Sequence, residues 1–139
     1  MNYPMIGSRQ YRAALSELGP MMRWVREVLG ECAPISAKAR KFEVAIEEAL
    51  VNVIHYAYPQ LPGVVEIAYQ KKDNKVLFTI KDKGVAFNPL ENHEPINTDA
   101  PLEEREAGGL GIYFIATIPD SVDYQRADGW NVLTLIHSI

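Results

Sequence analysis

The chain has 139 residues, a length that suits one domain with a core of its own. Hydrophobic residues make up 47% and charged residues 23%, the proportions of an ordinary globular protein, and a formal net charge of −4 leaves no basic stripe for direct nucleic-acid binding. Cys32 is the only cysteine, which excludes an intrachain disulfide, and no apolar run approaches the ~20 residues of a membrane span. The opening MNYPMIGSRQYR has no h-region of a signal peptide, so a cytoplasmic protein without a membrane segment is the default expectation.

In chain order, Arg9 to Leu15 reads as a short opening strand. Ser16 is the expected N-cap of a first helix, with Pro20 near its first turn; Leu18, Met22, Val25 and Leu29 then mark one apolar face out to about Glu31. Ala33-Pro34 breaks the pattern, and Ser36 caps a second helix that ends before Pro59. That helix contains FEVAIEEALVNVIHYAY, in which Phe42, Ile46, Ala49, Val53 and Tyr56 recur at steps of four and three and should form one buried stripe. PQLPG is a turn, and Val64–Gln70 and Lys75–Lys81 are β-branched strands joined as a hairpin at Asp73-Asn74.

From Leu90 to Ala107 no periodicity is visible, and the segment holds Pro95, Pro101 and six acids against one arginine. A connection of that length in a small domain is a functional lid or a disordered segment. Gly108-Gly109-Leu110-Gly111 precedes a third helix, Ile112 to about Ile118, which Pro119-Asp120 ends. Ser121–Arg126 and Trp130–His137 close the chain as a hairpin across Ala127-Asp128-Gly129. The order of elements predicts an α+β fold, a two-layer sandwich of helices on a mixed, mostly antiparallel sheet.

Three groups of residues could carry chemistry. Glu48 and Asn52 lie four apart, stacked on one helix face, and offer a proton acceptor and an oxygen ligand for a hard cation; a solvated helix edge gives the same pattern. Asp82-x-Gly84 follows a strand: the carboxylate can accept from an exocyclic amine and the glycine admits a close backbone, while a plain loop where Asp and Gly serve a turn is much the commoner source of this pattern taken alone. The 108–111 glycines can present backbone N–H groups to a phosphate at a helix N-terminus, or act as a hinge. No Walker A lysine follows them, since Ile112 and Tyr113 come next. His55, His93 and His137 show no ligand spacing, Cys32 reads as a small buried hydrophobe, and no serine sits in a nucleophile elbow.

Glu48-x-x-x-Asn52, Asp82-x-Gly84 and Gly109-x-Gly111 stand in the order of the N, G1 and G2 boxes, and the chain resembles the GHKL ATPase and kinase superfamily. EEALVNVIHYAYP, DKGVAFNP and GGLGI are similar to the wording of its small anti-sigma factor serine-protein kinases, of the RsbW and SpoIIAB type, over nearly the whole chain. The resemblance implies one ATP-binding kinase domain over residues 1–139. In it Asn52 ligates Mg²⁺ between the nucleotide phosphates, and Glu48 accepts the proton of the attacking hydroxyl. Asp82 reads the adenine amine beside Gly84, with Phe87 in the same stretch, and Gly108, Gly109, Leu110 and Gly111 face the phosphates. Arg105, the lid's single base, is a candidate phosphate contact, although a solvent-facing arginine is the commoner case.

Three positions depart from the family's pattern: Ala86 for a frequent glycine, Tyr56 for a frequent histidine with His55 beside it, and Trp130-Asn131 near a frequent threonine. The implied cofactors are ATP and Mg²⁺, and the implied partners are a sigma factor, a STAS-domain anti-anti-sigma protein and a second copy of the chain. The alternatives are an ATP-binding interaction module without kinase activity and, less well suited to 139 residues, a detached histidine-kinase catalytic domain.

Overall fold

The computed structural model describes residues 5–60, 62–91 and 109–139. The expected lid beyond Glu91, with His93 and Arg105, and Gly108 lie outside the described residues. Five strands and three α-helices are described: β1 (Met5–Arg12), α1 (Leu18–Cys32), α2 (Ala37–Asn52), β2 (Val64–Lys72), β3 (Lys75–Asp82), α3 (Gly109–Thr117), β4 (Ser121–Ala127) and β5 (Trp130–Ser138). The strand order is β1-β2-β3-β5-β4, so the chain leaves β3, passes through α3, lays down the far edge and returns to fill the gap. All four pairings among the described strands are antiparallel, in keeping with the mostly antiparallel sheet expected.

Alternation puts Val65 and Ile67 of β2, Val76, Phe78 and Ile80 of β3, and Leu133 and Leu135 of β5 on one buried face. The helices cover that face with Met21 and Val25 of α1, Phe42, Ile46 and Leu50 of α2, and Ile115 of α3. Phe42 meets Phe78 edge-on at 6.1 Å and stacks on His137 at 5.0 Å. Burying such a ring stabilises the fold by roughly 1.5–3 kcal/mol. Cys32 is buried in the same core, as expected, and burial pushes its thiol pKa up.

Both hairpins form where the sequence placed them. Asp73 and the pair Asp128-Gly129 take positive φ, as tight two-residue turns between twisted strands require. The Ser36 hydroxyl accepts from the Ala39 N–H at 3.0 Å and caps α2. Three readings need correction. The opening strand lies earlier than Arg9–Leu15; Gly7, a weak strand former, is required there because a Cβ would meet the Tyr69 ring. Helix α1 starts at Leu18, after a 3₁₀ turn over Leu15–Glu17, and Glu17 rather than Ser16 is its N-cap, with no side-chain cap bond. Tyr56 leaves the apolar stripe and is 52% exposed. The reason is a π turn over Val53–Ala57, whose longer repeat brings Ala57 to the place that α-helical spacing assigns to Tyr56.

Candidate functional site

The π turn shapes the site as well as the helix end. The Ala57 carbonyl, at the helix end, is free of the helical ladder, and the Val85 N–H donates to it at 2.8 Å. The segment after β3 is therefore pressed against the end of α2. A Cβ on Gly84 would collide with that same carbonyl, so glycine is needed for close backbone approach. Tyr58 braces the junction: its hydroxyl donates to the Val64 carbonyl at 2.6 Å and accepts from the Lys83 N–H at 2.8 Å. Burial raises the Tyr58 pKa, which keeps the donor protonated. On the other side Arg126 Nη1 donates to the Gly84 carbonyl at 2.8 Å.

Asp82 ends β3 pointing into the helix-covered face, where it is 4% exposed. Its Oδ1 accepts from the Gly84 N–H and from Asn131 Nδ2, each at 2.9 Å. Asn131 is opposite Asp82 in the β3–β5 register and is itself buried. Together they form the polar end of a pocket whose wall includes Asn52, Val53, Phe87, Ile115 and Leu133. The remaining lining is mostly apolar, which suits a flat aromatic base with one polar edge.

Glu48 and Asn52 occupy the last two turns of α2, as their spacing predicts. The Asn52 Nδ2 is buried and has no hydrogen-bond partner among the described residues. Glu48 faces α3: the place a Cβ on Gly111 would take lies against Glu48 Oε2. Burial, and then the neighbouring Glu47 charge, raise the Glu48 pKa above its ordinary 4.5. Gly109, Leu110 and Gly111 form the first turn of α3 rather than a loop ahead of it, and Gly111 is buried. Of the sequence-predicted residues, Asn52, Asp82 and Phe87 line the pocket. Gly84 shapes its rim against Ala57, and Glu48 and Gly111 meet at the α2–α3 contact.

Asn131, Tyr124, Tyr58 and Arg126 were not assigned a role from the sequence. Asn131 carried a signal: it is a polar residue, as His137 is, on a strand face whose other members are Leu133 and Leu135. The other three act through backbone atoms distant in sequence or, for Tyr124, through Asn131. His55 is exposed, and among the described residues no three His, Cys, Asp or Glu side chains group as a metal site.

The donors present fit a magnesium nucleotide. The orphaned Asn52 carboxamide at the pocket wall has a hydrogen-bond donor and an oxygen for phosphate and cation, and Asp82 offers an acceptor for a base amine at the buried end. Helices on one face of an antiparallel sheet, with Asn52 and a buried aspartate lining one pocket and Glu48 one turn before Asn52 on α2, define an ATPase domain of the GHKL kind. The family model of the histidine kinase-like ATPase domain matches residues 11–137, and the chain belongs to that family. Within it the chain is similar to the serine-protein kinases RsbW of Bacillus thuringiensis (strain Al Hakam), Bacillus cereus (strain AH820) and Bacillus anthracis (strain CDC 684 / NRRL 3495). Each is 30% identical over 94 residues, 66% of this chain and 59% of the relative. The aligned stretch thus spans well under two thirds of the length of those relatives.

Proposed function

We propose that this protein is an ATP- and Mg²⁺-dependent serine-protein kinase of the anti-sigma type. It phosphorylates a serine on a small STAS-domain antagonist and sequesters a sigma factor, as one domain over residues 1–139, working as a homodimer in the cytoplasm. The observation that carries the reading is the Glu48–Asn52 pair at the end of α2: one member is a carboxamide on the pocket wall whose Nδ2 has no partner among the described residues, the other a carboxylate of raised pKa against the first turn of α3. Similarity to serine-protein kinases RsbW supports it.

Phosphoryl transfer is mainly positioning and charge neutralisation. Asp82 would hold the adenine amine through its free oxygen, and Val53 and Ile115 would pack on the base. Asn52 would ligate Mg²⁺, which when bound offsets the triphosphate charge. The α3 first turn would direct its N–H groups at the phosphates. Glu48 would accept the serine proton as the serine oxygen bonds to the γ-phosphorus and the bond to the ADP oxygen breaks. Its raised pKa makes it a stronger base than an exposed carboxylate.

The test is incubation with γ-labelled ATP, Mg²⁺ and a purified STAS-domain protein of the anti-anti-sigma type. Label on a serine of that protein is the expected result. A protein that binds ATP and the sigma factor but labels nothing is an interaction module, and the kinase reading is then wrong.

A further inference from the structure

Asn131 lines the pocket, yet it has no hydrogen bond left to give a ligand. Its Nδ2 donates to Asp82 Oδ1 at 2.9 Å and to the Val85 carbonyl at 2.8 Å. Its Oδ1 accepts from the Phe87 N–H at 3.3 Å and, in a short bond, from the Tyr124 hydroxyl. A primary amide has two N–H donors and two lone pairs, so all four positions are used. The orientation of the amide is fixed by its partners: one end faces a carboxylate and a carbonyl, which only accept, and the other a backbone N–H, which only donates.

The consequence falls on Asp82. Its Oδ1 takes two N–H donors, from Asn131 and from Gly84, and both lone pairs are occupied. Oδ2 alone is left to address a base. Adenine's exocyclic amine needs one acceptor. The corresponding edge of guanine carries adjacent N1–H and N2–H donors, which suit a carboxylate able to offer both oxygens, and it carries a carbonyl that one oxygen alone would repel. The same amide also pins the backbone of Val85 and Phe87, which line the pocket, so the carboxylate and the wall around the base are held by one side chain.

We infer that Asn131, backed by Tyr124, is the positioning residue that sets purine selectivity, by occupying one oxygen of Asp82 so that the site reads a single amine. The inference rests on the adenine reading of Asp82 given above. The side chain organises the reader of the base without contacting the base.

The test is calorimetric binding of Mg-ATP and Mg-GTP to the intact protein and to Asn131→Ala and Tyr124→Phe. Wild type should prefer ATP by about tenfold or more. Asn131→Ala should lower that ratio by about tenfold, the low end of the scale of a lost hydrogen bond to a charged group, with GTP affinity retained or increased. Tyr124→Phe removes only a hydroxyl and should lower the ratio by about twofold; it carries the test if Asn131→Ala does not fold. A residue of merely structural importance would weaken both nucleotides together. An ATP preference that stays unchanged in the folded variants overturns the inference and leaves the adenine reading standing. A wild type that binds neither nucleotide, or both equally, overturns the two together.

Discussion

Gly111 and Glu48 meet across α2 and α3 with no room for a Cβ between them: a side chain at 111 would enter the space of Glu48 Oε2. The carboxylate therefore has its place because residue 111 has no side chain. Gly111→Ala should favour the helix intrinsically by up to about 1 kcal/mol, while pushing Glu48 out of position. The expected outcome is a melting temperature within a few degrees of wild type and phosphoryl transfer slowed about tenfold or more. Transfer at the wild-type rate would show that this contact does not position the base.

Gly84 presents the opposite case, because its neighbour is backbone rather than a movable side chain. A Cβ there meets the Ala57 carbonyl, which already accepts from Val85. Gly84→Ala should cost about 1–3 kcal/mol of stability, the usual range for overpacking, and should weaken ATP binding by displacing the turn that follows Asp82. Urea denaturation and calorimetry measure the two effects. Full stability in the variant would mean that the π turn yields.

Much of this arrangement was legible in the sequence. The strand pairs β2–β3 and β4–β5 were visible because Asp73-Asn74 and Asp128-Gly129 are turn pairs between alternating strands. Glu48 and Asn52 were visible because a four-residue spacing on a helix has one geometric meaning. Tyr56 was misplaced because no local signal marks a π turn; its extra residue is stabilised by the Val85–Ala57 bond, a contact made 28 positions away (85 − 57). Asn131 was noticed as a departure, but its partners are Asp82, Val85 and Phe87 in one distant stretch and Tyr124 on the neighbouring strand, and only the fold assembles them. The 92–108 stretch, most of the expected lid, falls outside the described residues.

Asn52→Ala tests the metal reading. The carboxamide is on the pocket wall with its Nδ2 unpartnered, so its removal should improve a buried mismatch and leave the fold intact. Mg²⁺-dependent ATP binding should be abolished, whereas binding measured with EDTA should change little. ATP affinity in Mg²⁺ equal to wild type would rule out the role.

The closing strand should make stability fall in acid. Burial, assisted by the Lys38 charge, lowers the His137 pKa from its ordinary 6.5, against a smaller opposing pull from Asp120. The unfolded chain then binds a proton that the folded chain resists. The contribution of His137 is fully present above pH 6.5 and is lost as pH falls from there through its lower folded pKa. Asp120 acts in a second window: the Ser138 N–H and then Lys38 lower its pKa below 3.8, so its contribution is lost at still lower pH. Denaturation midpoints from pH 8 to pH 4 should fall for wild type below pH 6.5. His137→Phe should be flatter across the first window, and a parallel decline in both proteins would count against the histidine.

Glu48→Gln separates an enzyme from a binding module. A general base acts on the transferring step, whereas a metal ligand already acts in ground-state binding. Glutamine keeps the length of the side chain and one acceptor oxygen, and it leaves the contact with Gly111 nearly unchanged in shape. The variant should therefore bind Mg-ATP about as well as wild type and lose transfer to the STAS-domain substrate by roughly a hundredfold or more. The wild-type rate should also fall as pH drops through the Glu48 pKa, which burial holds above 4.5, and the variant's residual rate should lack that limb. Binding to the sigma factor should survive, since it requires no proton transfer. A variant that phosphorylates as fast as wild type would show a kinase with a different base. Glu47 is a poor substitute, because it is turned by ~100° around α2 from the face that Glu48 shares with Asn52.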